Sequence, residues 1–293
     1  MNRFQPFTLN LAGRLYEVTL PQVMAIINVT EDSFFAGSRV VDFEAIADRA
    51  LQLVAAGADM LDIGACSTRP GSVPVEADLE AERVVAAVRA IRRVLPTLPL
   101  SVDTYRAEVA RRAVDAGANI INDISGGDLD GEMFATVAEL KVPYVLMHMR
   151  GTPETMSTLT DYRDVVADVV YELSLKVEKL RLLGVCDIVV DPGLGFAKTV
   201  EQNYQLLDAT DEIARLLDCP VLIGASRKSM LTLPLGITAE EALNATTVVN
   251  TIAIERGAAF LRVHDPLEAR QAITLMSLLP GLVKNKVFNI TNS

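Results

Sequence analysis

Short apolar runs alternate with longer amphipathic stretches along most of the chain. The runs are Val23–Ile27, Asp59–Ile63, Leu98–Val102, Ile120–Ile121, Tyr144–Met147, Ile188–Val190, Val221–Ile223 and Phe260–Val263. Between them, segments such as Phe43–Ala56, Glu76–Val94, Arg106–Ala116, Tyr162–Leu183 and Thr238–Arg256 carry a helical period. Eight strand-like runs separated by helices predict repeated βα units on a parallel sheet, hence an α/β protein built as a (β/α)8 barrel.

The punctuation agrees. Gly57, Gly117, Gly184 and Gly257 each follow a helical segment and precede a strand-like run, where glycine adopts the left-handed conformation freely. Pro143 and Pro220 stand at strand entrances, where proline is tolerated. No linker divides the chain, so residues 1–293 read as one domain with its core at about 21–280. Residues 1–20 are expected to form a short strand or hairpin closing the barrel's N-terminal end. An open doubly wound sheet is the main structural alternative. It would carry GxGxxG after the first strand, and Asn28-Val29-Thr30-Glu31-Asp32-Ser33 stands there instead.

Composition narrows the partners. Half of the residues are hydrophobic and 22% are charged, the balance of a well-buried globular protein. A formal net charge of −11 argues against nonspecific nucleic-acid binding and against an anionic membrane surface, but leaves room for a local anion site. Cys66, Cys186 and Cys219 are far apart, odd in number and without CxxC spacing. They point to a reducing cytoplasm rather than to disulfides or zinc. No apolar run approaches the roughly 20 residues of a membrane span, and Met1–Arg14 lacks the pattern of a secretory leader.

Polar residues gather where the runs end: Asn28, Asp62 with Ser67-Thr68-Arg69-Pro70-Gly71, Asp103, Asn122-Asp123, His148, Asp191-Pro192-Gly193, Ser226-Arg227-Lys228-Ser229, and Arg262 with His264. In a barrel the C-terminal strand ends converge on one rim. Asp103, Asn122 and Asp191 suit a heterocycle bearing N–H groups and ring nitrogens, whereas Arg69, Lys228, Arg262 and His264 suit a phosphate-bearing group. Asn28 offers an oxygen to Mg²⁺ bound with phosphate. Blander roles compete residue by residue. Asp103 and Asp191 also fit helix caps, Asn122 a turn, Arg262 a partly buried ion pair, and each histidine a structural position.

At these residues the chain resembles the dihydropteroate synthase family, from about Pro21 to Leu278. The resemblance is carried by Met24-Ala25-Ile26-Ile27-Asn28-Val29-Thr30 with Asp32-Ser33-Phe34, and by Asp62-Ile63-Gly64 with Ser67–Gly71. It continues through Ser101-Val102-Asp103-Thr104, Ile121-Asn122-Asp123-Ile124 and Met147-His148-Met149. Asp191-Pro192-Gly193 with Gly195-Phe196, Gly224 with Ser226–Ser229, and Arg262-Val263-His264 complete it. The resemblance implies that Asp103, Asn122, Asp191, Gly224 and Lys228 hold a pterin ring between Met147 and Phe196. It implies diphosphate binding by Asn28 through Mg²⁺, by Arg69, Arg262 and His264, and a p-aminobenzoate pocket of Phe34, Thr68, Pro70, Phe196 and Ser229. Asp32, Arg69, Asp103 and Lys228 would be catalytic. It further implies dissociative displacement of pyrophosphate from the pterin methylene, competition by sulfonamides, and a homodimer through helices late in the barrel, where Ala239–Ile254 is apolar.

Three positions depart from the usual pattern. Glu31 stands where proline is usual, Ala65-Cys66 where Gly-Glu is usual, and Ala197 where glycine is usual. A pterin-binding methyltransferase barrel, passing a methyl group from methyltetrahydrofolate to a corrinoid protein, would share Asp103, Asn122 and Asp191. It would not need Lys228, Arg262 and His264 together, nor the Ser67–Gly71 segment. A noncatalytic pterin-binding barrel would be expected to lose loop or anion residues, and this chain keeps Asn28, Asp32, Arg69 and His264.

Overall fold

The computed structural model describes residues 4–29, 43–65 and 75–279. Strands β1 (Phe7–Leu11) and β2 (Arg14–Val18) form an antiparallel hairpin. Strands β3 (Gln22–Asn28), β4 (Met60–Gly64), β5 (Leu100–Asp103), β6 (Ile120–Asp123), β7 (Tyr144–Met147), β8 (Ile188–Asp191), β9 (Leu222–Ile223) and β10 (Phe260–Val263) form one sheet, in the order β8-β7-β6-β5-β4-β3-β10-β9. Every pairing in that sheet is parallel. A parallel bridge between Val190 and Val221, with the Val190 N–H donating to the Pro220 carbonyl at 2.9 Å, joins β8 to the entrance of β9. The sheet thereby closes into the expected (β/α)8 barrel.

Ten helices wrap the barrel among the described residues: α1 (Phe43–Ala55), α2 (Ala77–Val94), α3 (Ala107–Asp115), α4 (Met133–Leu140), α5 (Val165–Leu182), α6 (Val200–Asp208), α7 (Thr210–Leu217), α8 (Ser229–Leu235), α9 (Leu243–Glu255) and α10 (Pro266–Met276). Two start three or more residues later than their period suggests. The Asp164 carboxylate accepts from the N–H groups of Val166 and Ala167 at 3.0 and 3.1 Å, which caps α5 at Val165 rather than Tyr162. Thr238–Ala242 form a turn before α9, in which the Glu241 carboxylate accepts from the Thr238 N–H at 2.9 Å.

Side chains alternate across each strand, and the alternation sorts the core into two parts. One set, including Val23, Ala25, Leu61, Ile63, Leu261 and Val263, packs outward against helix residues such as Ile46, Leu53, Val84, Ile91 and Ile273. The other set starts each strand on the inside. Met24, Met60, Ile120, Val145, Val189, Leu222 and Phe260 meet Phe4, Leu9, Leu11 and Val18 from the hairpin region. The hairpin therefore plugs the N-terminal end of the barrel, as the sequence suggested. Its two-residue turn places Ala12 and Gly13 at φ of 52° and 83°, the mirror-image geometry that matches strand twist. Gly57 is needed twice over. Its φ is 104°, and a Cβ there would lie 2.8 Å from the Cβ of Arg270.

Candidate active site

The inward positions change character two residues further along each strand. Phe260 is followed on the inner face by Arg262, Met60 by Asp62, Ile120 by Asn122, Val189 by Asp191 and Val145 by Met147. Ser101 is followed by Asp103, and Leu222 by Gly224. The C-terminal rim thus gathers acids, cations and an amide above an apolar floor.

Arg262 sits at the centre of one cluster. Its Nε donates to Asp62 at 2.6 Å and its NH2 to Asp103 at 2.6 Å. The same Asp62 oxygen accepts from the Asn122 amide at 3.0 Å. Asp62 is fully buried, and a carboxylate in that environment needs such partners. Asp103 joins Arg262 rather than capping a helix, and Asn122 holds a carboxylate rather than closing a turn. Gly64 lies in register between Asn28 and Asp103. A Cβ on Gly64 would come within 3.6 Å of the Asn28 amide oxygen and 3.8 Å of an Asp103 carboxylate oxygen, so glycine keeps the space between them clear.

A second cluster lies beside it, at the ends of β8 and β9. Lys228 donates to the Leu194 carbonyl at 2.5 Å, and its Nζ lies 4.4 Å from the centroid of the Phe196 ring. Asp191 accepts from the Gly193 N–H at 2.7 Å, a turn contact rather than a helix cap. Gly224 stands between the clusters: a Cβ there would be 3.8 Å from Arg262 and 3.9 Å from Asp191. Met147 and Phe196 belong to an apolar patch with Ile124, Met149, Met156 and Ala197, against which the partly buried Tyr105 and Leu129 pack. Ala197 takes a left-handed φ of 51°.

The Ser226–Ser229 turn splits its residues between tasks. Ser226 Oγ lies 3.0 Å from Nδ1 of His264 and accepts from the His264 N–H at 3.3 Å. Arg227 points away and pairs with Asp265 through two bonds of 3.0 and 2.6 Å. Lys228 faces the second cluster, and Ser229 is exposed on the first turn of α8.

Electrostatics poise the rim near neutrality. Burial pushes the Asp103 carboxyl up to about 7; Arg262 opposes this, and Asp62, Glu80 and Asp123 add to it. Burial likewise lowers the Lys228 ammonium to about 8, against the pull of Asp191 and Asp103. Asp191 is also raised by burial, with Lys228 holding it back. Burial works against the charge on Arg262, yet Asp62 and Asp103 keep its guanidinium above the ordinary value. Such opposed groups can bind a heterocycle by charged hydrogen bonds and still accommodate a proton.

The pterin binding enzyme model matches residues 24–264. A dihydropteroate synthase of Synechocystis sp. is 43% identical over 246 residues, spanning 83% of this chain and 84% of that protein. The chain belongs to the dihydropteroate synthase family. Solved structures of the family superpose closely. The Yersinia pestis dihydropteroate synthase with a sulfonamide drug gives a TM-score of 0.85 at 34% identity, over 92% of this chain and 98% of that one. The Xanthomonas albilineans dihydropteroate synthase with 4-aminobenzoic acid gives 0.84 at 37% identity, over 94% of this chain and 100% of that one.

Most of the strand-end polar residues named from the sequence meet at this rim, but their pattern assigns Asp62 no role, and it is Asp62 that holds Arg262 and Asn122. A lone carboxylate inside the apolar run Met60–Ile63 was the signal. Asp32, Phe34, Thr68, Arg69 and Pro70 lie outside the described residues. Glu172 and Lys198 have no local signature, because their partner His148 lies 24 and 50 residues away.

Proposed function

We propose that the protein is a dihydropteroate synthase, a transferase of folate biosynthesis. It condenses 6-hydroxymethyl-7,8-dihydropterin diphosphate with p-aminobenzoate to give 7,8-dihydropteroate and pyrophosphate. The observation that carries this reading is the meeting, at one rim, of Asp103, Asn122 and Asp191 with Lys228 and Arg262 beside the apolar wall of Met147 and Phe196. Acceptors and an amide suit the amino-pyrimidine edge; the cations suit the diphosphate.

In this reading Asp191, Asn122 and Lys228 orient the ring, and the Gly224 backbone lets it approach closely. Asp103 stabilises positive charge on the pterin as the methylene–oxygen bond breaks and its electron pair leaves with pyrophosphate. Arg262 and His264 meet the charge on the departing oxygens, with Arg69 joining them. The arylamine nitrogen then bonds to the methylene and loses a proton. Phe34, Thr68, Pro70, Phe196 and Ser229 form the p-aminobenzoate pocket in which sulfonamides compete, and Asp32 and Arg69 complete the catalytic set.

Among the described residues there is no group of three or more His, Cys, Asp or Glu arranged for a metal. Asn28 nevertheless presents an amide oxygen at the rim beside Asp103, across the space that Gly64 keeps open. One protein oxygen fits Mg²⁺ that arrives on the diphosphate, since that ion keeps phosphate and water ligands. When bound it supplies neutralisation of the leaving group.

We extend the reading to a homodimer through the late helices, since Leu243 and Val248 on α9 and Leu233 and Leu235 on α8 are exposed apolar residues. Light scattering at micromolar concentration checks this: a dimer mass is expected, and a monomer mass rejects it. Free Cys186 and Cys219 fit a cytoplasmic setting. No helix among the described residues is long and apolar enough to cross a membrane.

The test mixes purified protein, Mg²⁺, both substrates, and follows pyrophosphate and dihydropteroate together. Equal yields that depend on p-aminobenzoate and fall with added sulfonamide are expected. Methyl transfer from methyltetrahydrofolate to a corrinoid protein, without pyrophosphate, would select the rival enzyme class.

A further inference from the structure

The segment Gly193–Ala197 carries two features of the candidate pocket: the Phe196 ring and the Leu194 carbonyl that receives Lys228. What holds this segment lies behind the rim. Lys198 Nζ donates to the carbonyls of Phe196 at 2.8 Å and Gly193 at 3.1 Å, and lies 3.1 Å from Nδ1 of His148. An ammonium has three N–H donors, and here they are shared among these three acceptors and, at 3.5 Å, the His148 carbonyl. His148 is buried, and its Nε2 lies 3.0 Å from Glu172 on α5. Glu172 also pairs with Arg150. The segment packs tightly on His148 as well, because a Cβ on Gly193 would fall 2.0 Å from the His148 carbonyl oxygen.

The hydrogen bonds run in one direction. Nδ1 accepts from Lys198, so the neutral imidazole carries its proton on Nε2 and donates to the Glu172 carboxylate. Burial keeps His148 neutral by lowering it to about 4, and the His148 bond holds Glu172 ionised by lowering it to about 2. We propose that Lys198 is a positioning residue for the pterin pocket: backed by His148 and Glu172, it fixes the Gly193–Ala197 segment so that Phe196 and the Leu194 carbonyl stand where the ligand and Lys228 need them. This rests on the synthase reading of the rim.

The groups facing Lys198 give the test its handle. Burial lowers its ammonium to about 7, while Asp191 and Glu172 support the charge and Lys228 and Arg150 oppose it. Protonated, Lys198 has three donors for these acceptors; deprotonated, it has two. Removing it should therefore cost more at low pH than at high pH. A side chain that merely filled space would give a pH-independent cost.

Wild type and Lys198→Met are titrated calorimetrically with 6-hydroxymethyl-7,8-dihydropterin diphosphate and Mg²⁺, without p-aminobenzoate, from about pH 6 to pH 9. The variant should bind roughly tenfold more weakly at the acid end, the low end for partners that orient a binding group. The ratio should shrink as pH rises and the lysine loses one of its three donors. Equal affinities, or a ratio that does not change with pH, overturn the proposal. If wild type itself fails to bind, the synthase reading falls and takes this inference with it. Should Lys198→Met not fold, Glu172→Gln must weaken binding by about threefold or more, since it removes the charge that orients His148; unchanged affinity there also overturns the proposal.

Discussion

The two ends of the barrel are built from the same eight strands and obey opposite rules. At the N-terminal end, Phe260, Met60, Val189 and Ile120 close on Phe4, Leu9 and Val18 of the hairpin region, with every one of these side chains nearly or wholly buried. Two residues later, Arg262, Asp62, Asp191 and Asn122 crowd a rim where each buried polar group depends on another. The floor contributes stability through apolar area alone, which needs no geometry beyond close packing. The rim spends desolvation on groups that are useful only to a ligand. The contrast shows how short a step separates support from chemistry: one period of the pleat.

Substitutions at the two ends should separate cleanly. The largest effect is expected for Phe260→Ala in the floor, which should cost about 3–5 kcal/mol of unfolding free energy by leaving a cavity. Denaturant titration measures it, and turnover per folded molecule should stay near that of wild type. At the rim, Asp103→Asn should reduce turnover by about 10²–10³-fold, as loss of one preorganised charge does elsewhere, with little loss of stability. Near-normal turnover with an unchanged melting temperature would remove Asp103 from its role.

The same pair of proteins sharpens the contrast by pH. Burial holds the Asp103 carboxyl at about 7, above its ordinary value. A raised value in the folded state means that protonation favours folding. That contribution is complete below about pH 4 and is lost as pH rises through about 7. Asparagine does not titrate, so the melting temperature of Asp103→Asn relative to wild type should climb by about 2 °C or more between about pH 5 and pH 8. A flat difference would show that the Arg262 pairing outweighs burial. The smallest effect belongs to the hairpin. Ala12 holds a positive φ at an exposed turn position, and Ala12→Asn, which favours that turn with Gly13, should add about 0.5–1 kcal/mol without altering catalysis.

The floor and the sheet were legible because burial on both faces leaves continuous apolar runs in the sequence. The rim residues were legible because they interrupt or end those runs. Helix starts were less so: Asp164 marks α5 only when its side chain is seen capping, and Thr238 read as helical although Glu241 holds it in a turn. Arg262 was open between an anion clamp and an ion pair. The structure shows the pair with Asp62 and Asp103, whose sequence separations of 200 and 159 residues no local pattern reveals. Lys198 was invisible for a similar reason. A lysine beside a helix start reads as solvated, and only tertiary contact shows it beneath the rim.

One seam remains thin. Strand β9 has two residues and meets β8 through a single bridge, Val190 to Val221. Asp191 stands directly above that bridge on one side, and Gly224 follows β9 on the other. A molecule gripped from both sides would act as a rivet across the weakest joint in the wall. Its binding energy would then become hoop strength, and slowed amide exchange at Val190, whose N–H donates to the Pro220 carbonyl across that joint, would register the tightening.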